Sequence, residues 1–234
     1  MIIGISGLAG SGKDTAADFL VRDHGFVKVA FADEMKRTCM RVYKFSFEQL
    51  WGPSAMRNAP DKRYPREHGP FDDNRCRCCG ELRESKEQCY LTPRFALQQL
   101  GSEWGRVCYE DTWIEYAVDI AAKLSDEGGY NYPEIHGLSH DWRPGDKNWV
   151  TSVVVPDLRF ENELMGLDCI CARTIRVKRL NAGLKGATGA HRSEQEQGGI
   201  PDSRFDYVLE NNGTLRDLQE LIRIAVHDWR QKGE

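Results

Sequence analysis

The sequence lacks an apolar run that approaches the roughly 20 residues needed for a membrane-spanning helix. Its beginning also lacks the basic flank and the cleavage pattern of a secretory signal. The apolar residues 1–5 lead directly into a glycine-rich loop, which predicts a retained strand and not a removable segment. We therefore expect a cytoplasmic protein that has no membrane partner.

A basic excess is missing as well. The chain has 32 Lys and Arg residues against 36 Asp and Glu residues, which gives a net charge of −4. This balance argues against a general coat for nucleic acid, whose backbone attracts basic surfaces. Internal repeats and low-complexity tracts are also absent from the sequence. With 234 residues, the chain can bury a sizeable core without the help of a disulfide or a metal.

What the sequence does contain is a glycine-rich loop that follows an apolar run and precedes a helical pattern. It satisfies the pattern G-x-x-x-x-G-K, except that Asp14 replaces the usual hydroxyl residue and Thr15 follows it. Glycine lets the backbone curl around phosphate oxygens, and a helix N-terminus favours anions. A chance glycine-rich turn is the alternative. We predict nucleoside triphosphate binding by Gly10, Ser11, Gly12, Lys13, Asp14 and Thr15.

Strand and helix patterns alternate along the chain, which predicts an α/β protein with a parallel sheet covered on both faces. Apolar and β-branched runs predict strands at residues 1–5, 27–31, 150–155, 174–177 and 207–209. Helical spacing or capping residues predict helices after residue 12, at 33–43, after 92, at 113–124 and after 214. We expect a three-layer αβα P-loop fold in one domain over residues 1–234. An irregular insertion is expected at about 52–91, and a second irregular stretch covers 126–148.

The predicted strand at 150–155 is followed by a charged segment. Ligands of open α/β sheets bind at the carboxyl ends of the strands, so Asp157 is predicted beside the phosphate loop. There its carboxylate suits magnesium or the water molecules around it, and Arg159 suits a phosphate. Two alternatives stay open at this point: Asp157 as a helix N-cap, and a surface ion pair between Arg159 and Glu161 or Glu163.

A second constellation lies between residues 92 and 106. Two arginines there can hold an anionic substrate, two polar side chains can bond a base, and a tryptophan offers a stacking face. The alternative is a set of solvated charges with a tryptophan in the core. The side chains concerned are Arg94, Gln98, Glu103, Trp104 and Arg106.

Four of the eight cysteines lie between residues 76 and 89, namely Cys76, Cys78, Cys79 and Cys89. The C-x-x-C spacing followed by Gly80 is typical of a zinc knuckle, with His68 as another ligand candidate. A second C-x-x-C pair is absent, so structural zinc, free thiols and a disulfide all remain open. The remaining cysteines are predicted to be small core residues: Cys39, Cys108, Cys169 and Cys171.

Taken together, five segments resemble bacteriophage deoxynucleoside monophosphate kinases. More distantly, they resemble the wider P-loop group of nucleoside monophosphate and dephospho-coenzyme A kinases. The segments follow the chain order of that family over about two thirds of the chain: residues 11–15, 31–36, 92–106, 157–163 and 205–214. The cysteine-rich insertion and residues 126–148 have no counterpart in the resemblance.

The resemblance implies ATP-dependent phosphorylation of a deoxynucleoside monophosphate with Mg²⁺ as cofactor. Lys13 and the loop amides would hold the outer phosphates of ATP, and Asp157 with Thr15 or Asp14 would organise magnesium. It further implies a lid at about 178–204, which includes Arg179 as an ATP contact together with Lys185 and Arg192. The residues implied to face the monophosphate are Asp33, Lys36, Arg94, Arg106 and Arg159. Asn212 is either a contact of the ATP base or part of an ordinary turn.

Two other functions remain open from the sequence. One is a P-loop kinase of another phosphate-bearing acceptor, similar to dephospho-coenzyme A. The other is an NTP-dependent nucleic-acid-binding protein, against which the acidic net charge counts. The expected partners are small nucleotides, without a stable nucleic acid complex, and a homodimer is compatible with the resemblance.

Overall fold

The structure is a computed structural model that describes residues 1–66, 71–72, 75–76, 89–126, 152–180, 182–183 and 197–232. The chain divides into two compact units. The sheet unit comprises Met1–Phe31 and Ile114–Glu234, and the helical unit comprises Ala32–Trp113. The expected single domain with an insertion at 52–91 stays a prediction. The irregular stretch predicted for 126–148 lies, after residue 126, outside the described residues.

The regular elements of the described chain are, from the N-terminus onward, β1 (Ile2–Ser6), α1 (Lys13–His24), β2 (Val27–Lys28), α2 (Asp33–Tyr43), α3 (Phe47–Trp51), α4 (Ser54–Asn58), β3 (Asp61–Arg66), β4 (Phe71–Asp72), β5 (Arg75–Cys76), β6 (Cys89–Leu91), α5 (Pro93–Gln98), a π-helix (Gln99–Arg106), α6 (Thr112–Asp126), β7 (Val153–Leu158), α7 (Glu161–Asp168), β8 (Arg173–Lys178), a 3-10 helix (Asp202–Arg204), β9 (Tyr207–Glu210) and α8 (Leu215–Gln231).

The sheet unit is built on five parallel strands in the order β2-β7-β1-β8-β9. On one face, α1 and α8 bury Leu20 and Ile222 against β1 and β8. On the other face, α6 and α7 bury Leu124 and Leu164 against β7. A parallel sheet needs such cover on both faces because its strands are apolar on both sides. The predicted three-layer α/β fold is therefore confirmed.

The ends of two strands differ from the prediction by three residues. The second strand was expected over 27–31, but β2 contains only Val27 and Lys28. The third was expected to end at residue 155, whereas β7 continues through Pro156 to Leu158. It continues because β1 extends beside it to Ser6, which pairs with Leu158 and donates its hydroxyl to the carbonyl of that residue at 2.9 Å. The sequence around Pro156 does not show that a neighbouring strand extends far enough to pair with the residues after it.

The helical unit has its own core, formed by Cys39, Phe45, Leu50 and Ala96. Its strands β3 and β6 are antiparallel. The predicted helix start after Thr92 is confirmed, since the Thr92 hydroxyl accepts a hydrogen bond from the amide of Phe95 at 3.1 Å. The helix then continues as the π-helix, which the sequence pattern did not predict.

Two glycines explain why the π-helix can form. Trp113 donates its indole N–H to the carbonyl of Gly101 at 3.1 Å. A methyl group at Gly105 would overlap the same indole, and one at Gly101 would lie 2.8 Å from the sulfur of Met35. The wide π-turn therefore packs directly on neighbouring side chains, and only glycine permits that approach.

The cysteine predictions have a mixed outcome. Cys39 is buried as expected, but Cys108, Cys169 and Cys171 are exposed, so their assignment to the core is wrong. Cys169 and Cys171 lie in the turn after α7, where Cys171 has a left-handed φ of 54° and little packs on it. Their apolar neighbours Ile170 and Ala172 pack against the core from the same turn, whereas the two cysteines are exposed.

Of the four predicted zinc ligands, only Cys89 has a described side chain, and it is buried. Within the described parts of the chain, no three metal-binding side chains come together. Cys78, Cys79 and the side chain of Cys76 lie outside the described residues, and the zinc site stays a prediction. None of the helices described combines the length and apolar character of a membrane-spanning helix.

Candidate functional site

The glycine-rich loop connects β1 to α1 in a tight, left-handed path. Gly10 and Gly12 have φ values of 78° and 99°, which other residues adopt only with strain. The amide of Ser11 donates to the carbonyl of Leu8 at 3.0 Å and closes the turn. The amides of the first turn of α1 have no partner within the helix, so they are available to an anion at the helix N-terminus. This is the geometry of a phosphate-binding loop.

Asn211, which directly follows β9, holds the loop. Its side-chain amide donates to the carbonyl of Ser11 at 2.7 Å, and its backbone amide donates to the carbonyl of Lys178 at 2.7 Å. Asn212 was predicted from the sequence and Asn211 was missed. An asparagine close after a predicted strand, at the carboxyl ends of the sheet, was a usable signal. A methyl group at Gly12 would overlap the Asn211 amide, so Gly12 is required by this contact as well as by its φ.

This contact makes a testable prediction for Gly12→Ala, with Gly10→Ala as the matched control. Both glycines have positive φ, but the space around a Cβ at Gly10 is open. Left-handed strain costs about 1–2 kcal/mol in both variants. The overlap with Asn211 adds to it in Gly12→Ala alone. We expect Gly12→Ala to lower the melting temperature more than Gly10→Ala and to weaken the binding of a fluorescent ATP analogue at least about tenfold more. Equal effects would show that the Asn211 contact does not hold the loop.

Asp157 reaches the loop through a β-bulge. Along β1 and β7, Ile5 pairs with Pro156 and Ser6 pairs with Leu158, so Asp157 is an extra residue without a partner on β1. Its φ of 75° is left-handed, a conformation that aspartate tolerates better than most residues. Bulges of this kind redirect a side chain. Here the bulge brings the Asp157 carboxylate to 3.3 Å from the ammonium group of Lys13.

Lys13 lies between two carboxylates. Its ammonium group is 3.0 Å from Asp14 and 3.3 Å from Asp157, and Lys13 as a whole is only 8% exposed. The Asp14 side chain is 71% exposed. Arg159 donates to both oxygens of Asp157, at 2.9 and 2.8 Å, in a bidentate pair. The four residues predicted from the sequence to be catalytic thus form one cluster at the phosphate loop.

The structure tests one of the two alternatives left open for this segment. The N-cap of α7 is Phe160, so the alternative that Asp157 caps that helix is wrong. Arg159 pairs with Asp157. Glu163 accepts hydrogen bonds from the backbone amides of Arg159 and Phe160, at 2.7 and 3.1 Å, and is only 4% exposed. Glu163 therefore fixes the turn that presents Arg159, a role that sequence spacing did not single out.

The segment after β8 runs along the phosphate loop. Gly183 donates its amide to the carbonyl of Ala9 at 2.8 Å, and Asn212 accepts from the amide of Leu180 at 2.8 Å. A cavity of about 420 Å³ lies beside the loop. It is lined by Gly7, Leu8, Ser11, the β8 end through Arg179, Ala182 and residues 198–202. Most of the predicted lid, including Lys185 and Arg192, lies outside the described residues.

Asp202 pairs with both basic residues at the end of β8, with Lys178 at 2.9 Å and with Arg176 at 3.1 Å. The hydrogen bond from Lys178 holds the pKa of Asp202 below its ordinary value, so Asp202 remains charged near neutral pH. Arg179 lines the cavity at the end of the strand, where an ATP contact was expected from the sequence.

In the helical unit, Asp33 and Lys36 form a cluster on α2. The Trp51 indole donates to Asp33 at 3.1 Å, Lys36 lies 3.6 Å from the same carboxylate, and its ammonium group sits 5.2 Å from the centre of the Trp51 ring. The two predicted substrate residues are therefore together. Their side chains are largely buried against Trp51, which was not among the residues predicted from the sequence.

The other predicted substrate residues lie on α5 and the π-helix. Arg94 and Arg106 are half-buried, whereas Gln98 and Glu103 are exposed. Trp104 is 56% exposed, so the alternative of a core tryptophan is wrong; the half-buried Trp113 lies beside it. An exposed tryptophan flanked by polar side chains suits contact with an aromatic ligand.

The cluster at the phosphate loop also fits a magnesium ion. Asp14 and Asp157 converge on the one ammonium group of Lys13, which shows that this position stabilises a cation. Carboxylate and hydroxyl oxygens are the ligands that Mg²⁺ accepts, and Thr15 adds an exposed hydroxyl on the first turn of α1. The residues present therefore fit the oxygen ligands that such an ion takes.

Comparisons with known proteins agree with a nucleotide-binding site. No family model matches the chain. A protein of Acanthamoeba polyphaga mimivirus, named "Putative deoxynucleotide monophosphate kinase", is 27% identical over 238 aligned positions, which cover 99% of this chain and 98% of the viral protein.

Solved structures give weaker similarities. Shikimate kinase from Aquifex aeolicus is 11% identical with a TM-score of 0.44, and the alignment covers 97% of both chains. The protein TT1252 from Thermus thermophilus is 17% identical with a TM-score of 0.44 and the same coverage. A sugar kinase from Janibacter is 11% identical with a TM-score of 0.41, covering 98% of this chain and 94% of that one. These scores carry no argument; the strand order and the geometry of the loop show a glycine-rich loop at the carboxyl ends of a parallel sheet.

Proposed function

We propose that this protein is a kinase that transfers the γ-phosphoryl group of ATP to a deoxynucleoside monophosphate. The observation that carries the proposal is the convergence of Lys13, Asp157 and Arg159 at a phosphate-binding loop. Two cations and a carboxylate at that position suit transfer between polyanions better than binding alone. The mimivirus relative, which aligns over nearly the whole chain, supports the class of acceptor.

The donor half of the reaction is assigned to the sheet unit. The amides of the loop and the ammonium group of Lys13 bind the β- and γ-phosphates, while Asn211 keeps the loop in shape. Asp157, with Thr15 or Asp14, holds Mg²⁺, which when bound neutralises phosphate charge. Arg179 and Asn212 are assigned to the remainder of ATP. Lys13 exchanges part of its contact with the two carboxylates for the phosphates.

The acceptor contacts are assigned separately in each unit: Arg159 in the sheet unit, and the residues predicted from the sequence in the helical unit. Basic side chains hold the monophosphate, polar side chains bond the base, and Trp104 stacks on it. The mutual contacts of Asp33, Lys36 and Trp51 fix the direction of the Lys36 ammonium group before any ligand is bound. The acceptor contacts predicted from the sequence in this unit are retained: Asp33, Lys36, Arg94, Arg106, Gln98 and Glu103.

The chemical step needs no general base. The second pKa of a phosphate monoester is about 6, so the acceptor oxygen is largely ionised near neutral pH. That oxygen forms a bond to the γ-phosphorus as the bond from this atom to the β–γ bridging oxygen breaks, and ADP leaves with the electron pair. Lys13 and Arg159 stabilise the charge on the oxygens that move, and the rate depends on alignment.

An ADP-release assay with a panel of acceptors tests the proposal. The panel contains the four common deoxynucleoside monophosphates, the four ribonucleoside monophosphates and dephospho-coenzyme A, each with ATP and Mg²⁺. We expect ADP formation with at least one deoxynucleoside monophosphate, and a matching diphosphate by chromatography. If ADP formed only with dephospho-coenzyme A, the acceptor would be that compound and not a deoxynucleoside monophosphate. If ADP formed only in the presence of added DNA, the protein would be a DNA-dependent NTPase and the proposed function would be wrong.

A further inference from the structure

We propose that Gln197 is a positioning residue for phosphoryl transfer, because it holds the Asp157 bulge in its working geometry. The inference rests on the proposed function and concerns a residue outside the phosphate loop and the charged segment after β7. Gln197 is only 1% exposed and contacts neither Asp157 nor Arg159 through any hydrogen bond recorded in the described chain. It acts through the carbonyl of the residue between them.

A closed network surrounds that carbonyl. The side-chain amide of Gln197 donates to the carbonyl of Leu158 at 2.7 Å and lies 3.3 Å from the hydroxyl of Ser6. The Ser6 hydroxyl donates to the same carbonyl at 2.9 Å. Ser6 and Gln197 are both buried, so these bonds are shielded from competing water. The last residue of β7 is thereby bonded from β1 on one side and from Gln197 on the other.

Gln197 itself is fixed to β8. Its backbone carbonyl accepts a hydrogen bond from the Arg176 guanidinium at 2.7 Å. That guanidinium also bonds the carbonyl of Ile200 and pairs with Asp202 at 3.1 Å. Arg176 is buried, and its charge is balanced within this group of contacts. Gln197 thus connects the carboxyl ends of three adjacent strands, β7, β1 and β8.

The bulge needs such support. Asp157 holds a left-handed φ of 75°, which is strained for a residue other than glycine and persists only where the surroundings fix it. Leu158 directly follows it and precedes Arg159. A change in the orientation of the Leu158 carbonyl therefore turns both the carboxylate that faces Lys13 and the guanidinium that pairs with it. A displacement of about 1 Å at reacting groups can cost about 10²-fold in rate.

The inference predicts that turnover and ATP binding respond differently. Gln197→Met keeps the length of the side chain but removes its two donors. We expect kcat to fall roughly 10- to 100-fold. The dissociation constant of a fluorescent ATP analogue should change less than about threefold, since the loop amides and Asn211 set it. Amide hydrogen exchange should accelerate in peptides that contain Leu158, Arg159 and Phe160.

Two further variants separate positioning from stability. Thr174→Val removes a buried hydroxyl that bonds Asp206 at 2.9 Å near the start of β8, outside the network around Leu158. It should lower the melting temperature without a change in kcat or in exchange at Leu158. Ser6→Ala removes the second bond to the same carbonyl. The double variant Ser6→Ala/Gln197→Met should lower kcat by a factor that differs from the product of the two single factors, since both side chains bond the Leu158 carbonyl.

The outcomes distinguish this inference from the proposed function. An active wild type together with an unchanged kcat in Gln197→Met would overturn the inference and leave the function standing. If kcat fell in proportion to the loss of melting temperature, and by the same proportion in Gln197→Met and Thr174→Val, Gln197 would have only a structural role. That result would also overturn the inference. A wild type that phosphorylates no acceptor would overturn the proposed function, and with it the reaction that Gln197 is proposed to serve.

Discussion

Replacement of Lys13 by alanine is expected to lower kcat for ADP formation by about 10³-fold or more. Lys13 is the buried cation of the phosphate loop, and its ammonium group already lies within 3.3 Å of both Asp14 and Asp157. Without it, the two carboxylates face the phosphates with no ammonium group between them. Repulsion then replaces attraction at the group that is transferred. Binding of the ATP analogue should weaken as well, by a smaller factor, because the loop amides remain.

The matched control is Lys123→Ala. Lys123 forms an i,i+4 ion pair with Asp119 at 2.7 Å on the surface of α6, a type of pair that contributes little to stability. The kcat of Lys123→Ala should equal that of the wild type. Circular dichroism should show a folded chain for both variants, since Asp157 retains its pair with Arg159 when Lys13 is removed. A folded Lys13→Ala protein with wild-type turnover would show that the phosphate loop takes no part in the reaction.

Arg159→Ala is expected to lower kcat/KM for the monophosphate by about 10²- to 10³-fold, with little change in the affinity for the ATP analogue. The guanidinium donates to both Asp157 oxygens at the bulge beside the phosphate loop. Its loss removes the proposed phosphate contact and also frees the carboxylate that faces Lys13. Arg159→Lys should recover part of the activity, since it restores the charge without the bidentate geometry.

Arg204→Ala is the control for this variant. Arg204 is likewise an arginine held in ion pairs, with Glu161 at 2.9 Å and Asp168 at 3.2 Å, but it is not part of the cluster at the phosphate loop. Steady-state kinetics with varied monophosphate should give wild-type values for Arg204→Ala. Wild-type kcat/KM in Arg159→Ala would exclude Arg159 as an acceptor contact. Wild-type kinetics in both Lys13→Ala and Arg159→Ala would exclude the mechanism as a whole.

Much of the fold could be predicted because its signals are local. The caps at Thr92 and Thr214 depend on hydrogen bonds to amides three residues away, and both were identified from the sequence. The apolar runs and helical spacing likewise predicted the parallel sheet with helices on both faces. The lysine and the glycines of the loop could be assigned because the chemistry of phosphate binding is contained in one short segment.

The errors concern features that depend on neighbours distant in the sequence. β7 continues past Pro156 only because Ser6 lies beside it. The π-helix packs on the indole of Trp113, and the exposure of Cys169 and Cys171 depends on which side of their turn faces the core. No window of neighbouring residues contains this information.

The sequence by itself predicted a glycine-rich loop at the carboxyl ends of a parallel sheet, and it singled out Lys13, Asp14, Asp157 and Arg159. Only the tertiary structure decided how they meet: Asp157 is turned toward Lys13 by a bulge, Asn211 holds the loop, and Gln197 reaches Leu158 from 39 positions further along the chain. The physical reason is the range of the forces involved. Propensity, capping and glycine turns act within a few residues, whereas the direction of a buried carboxylate is set by whichever strand packs against it.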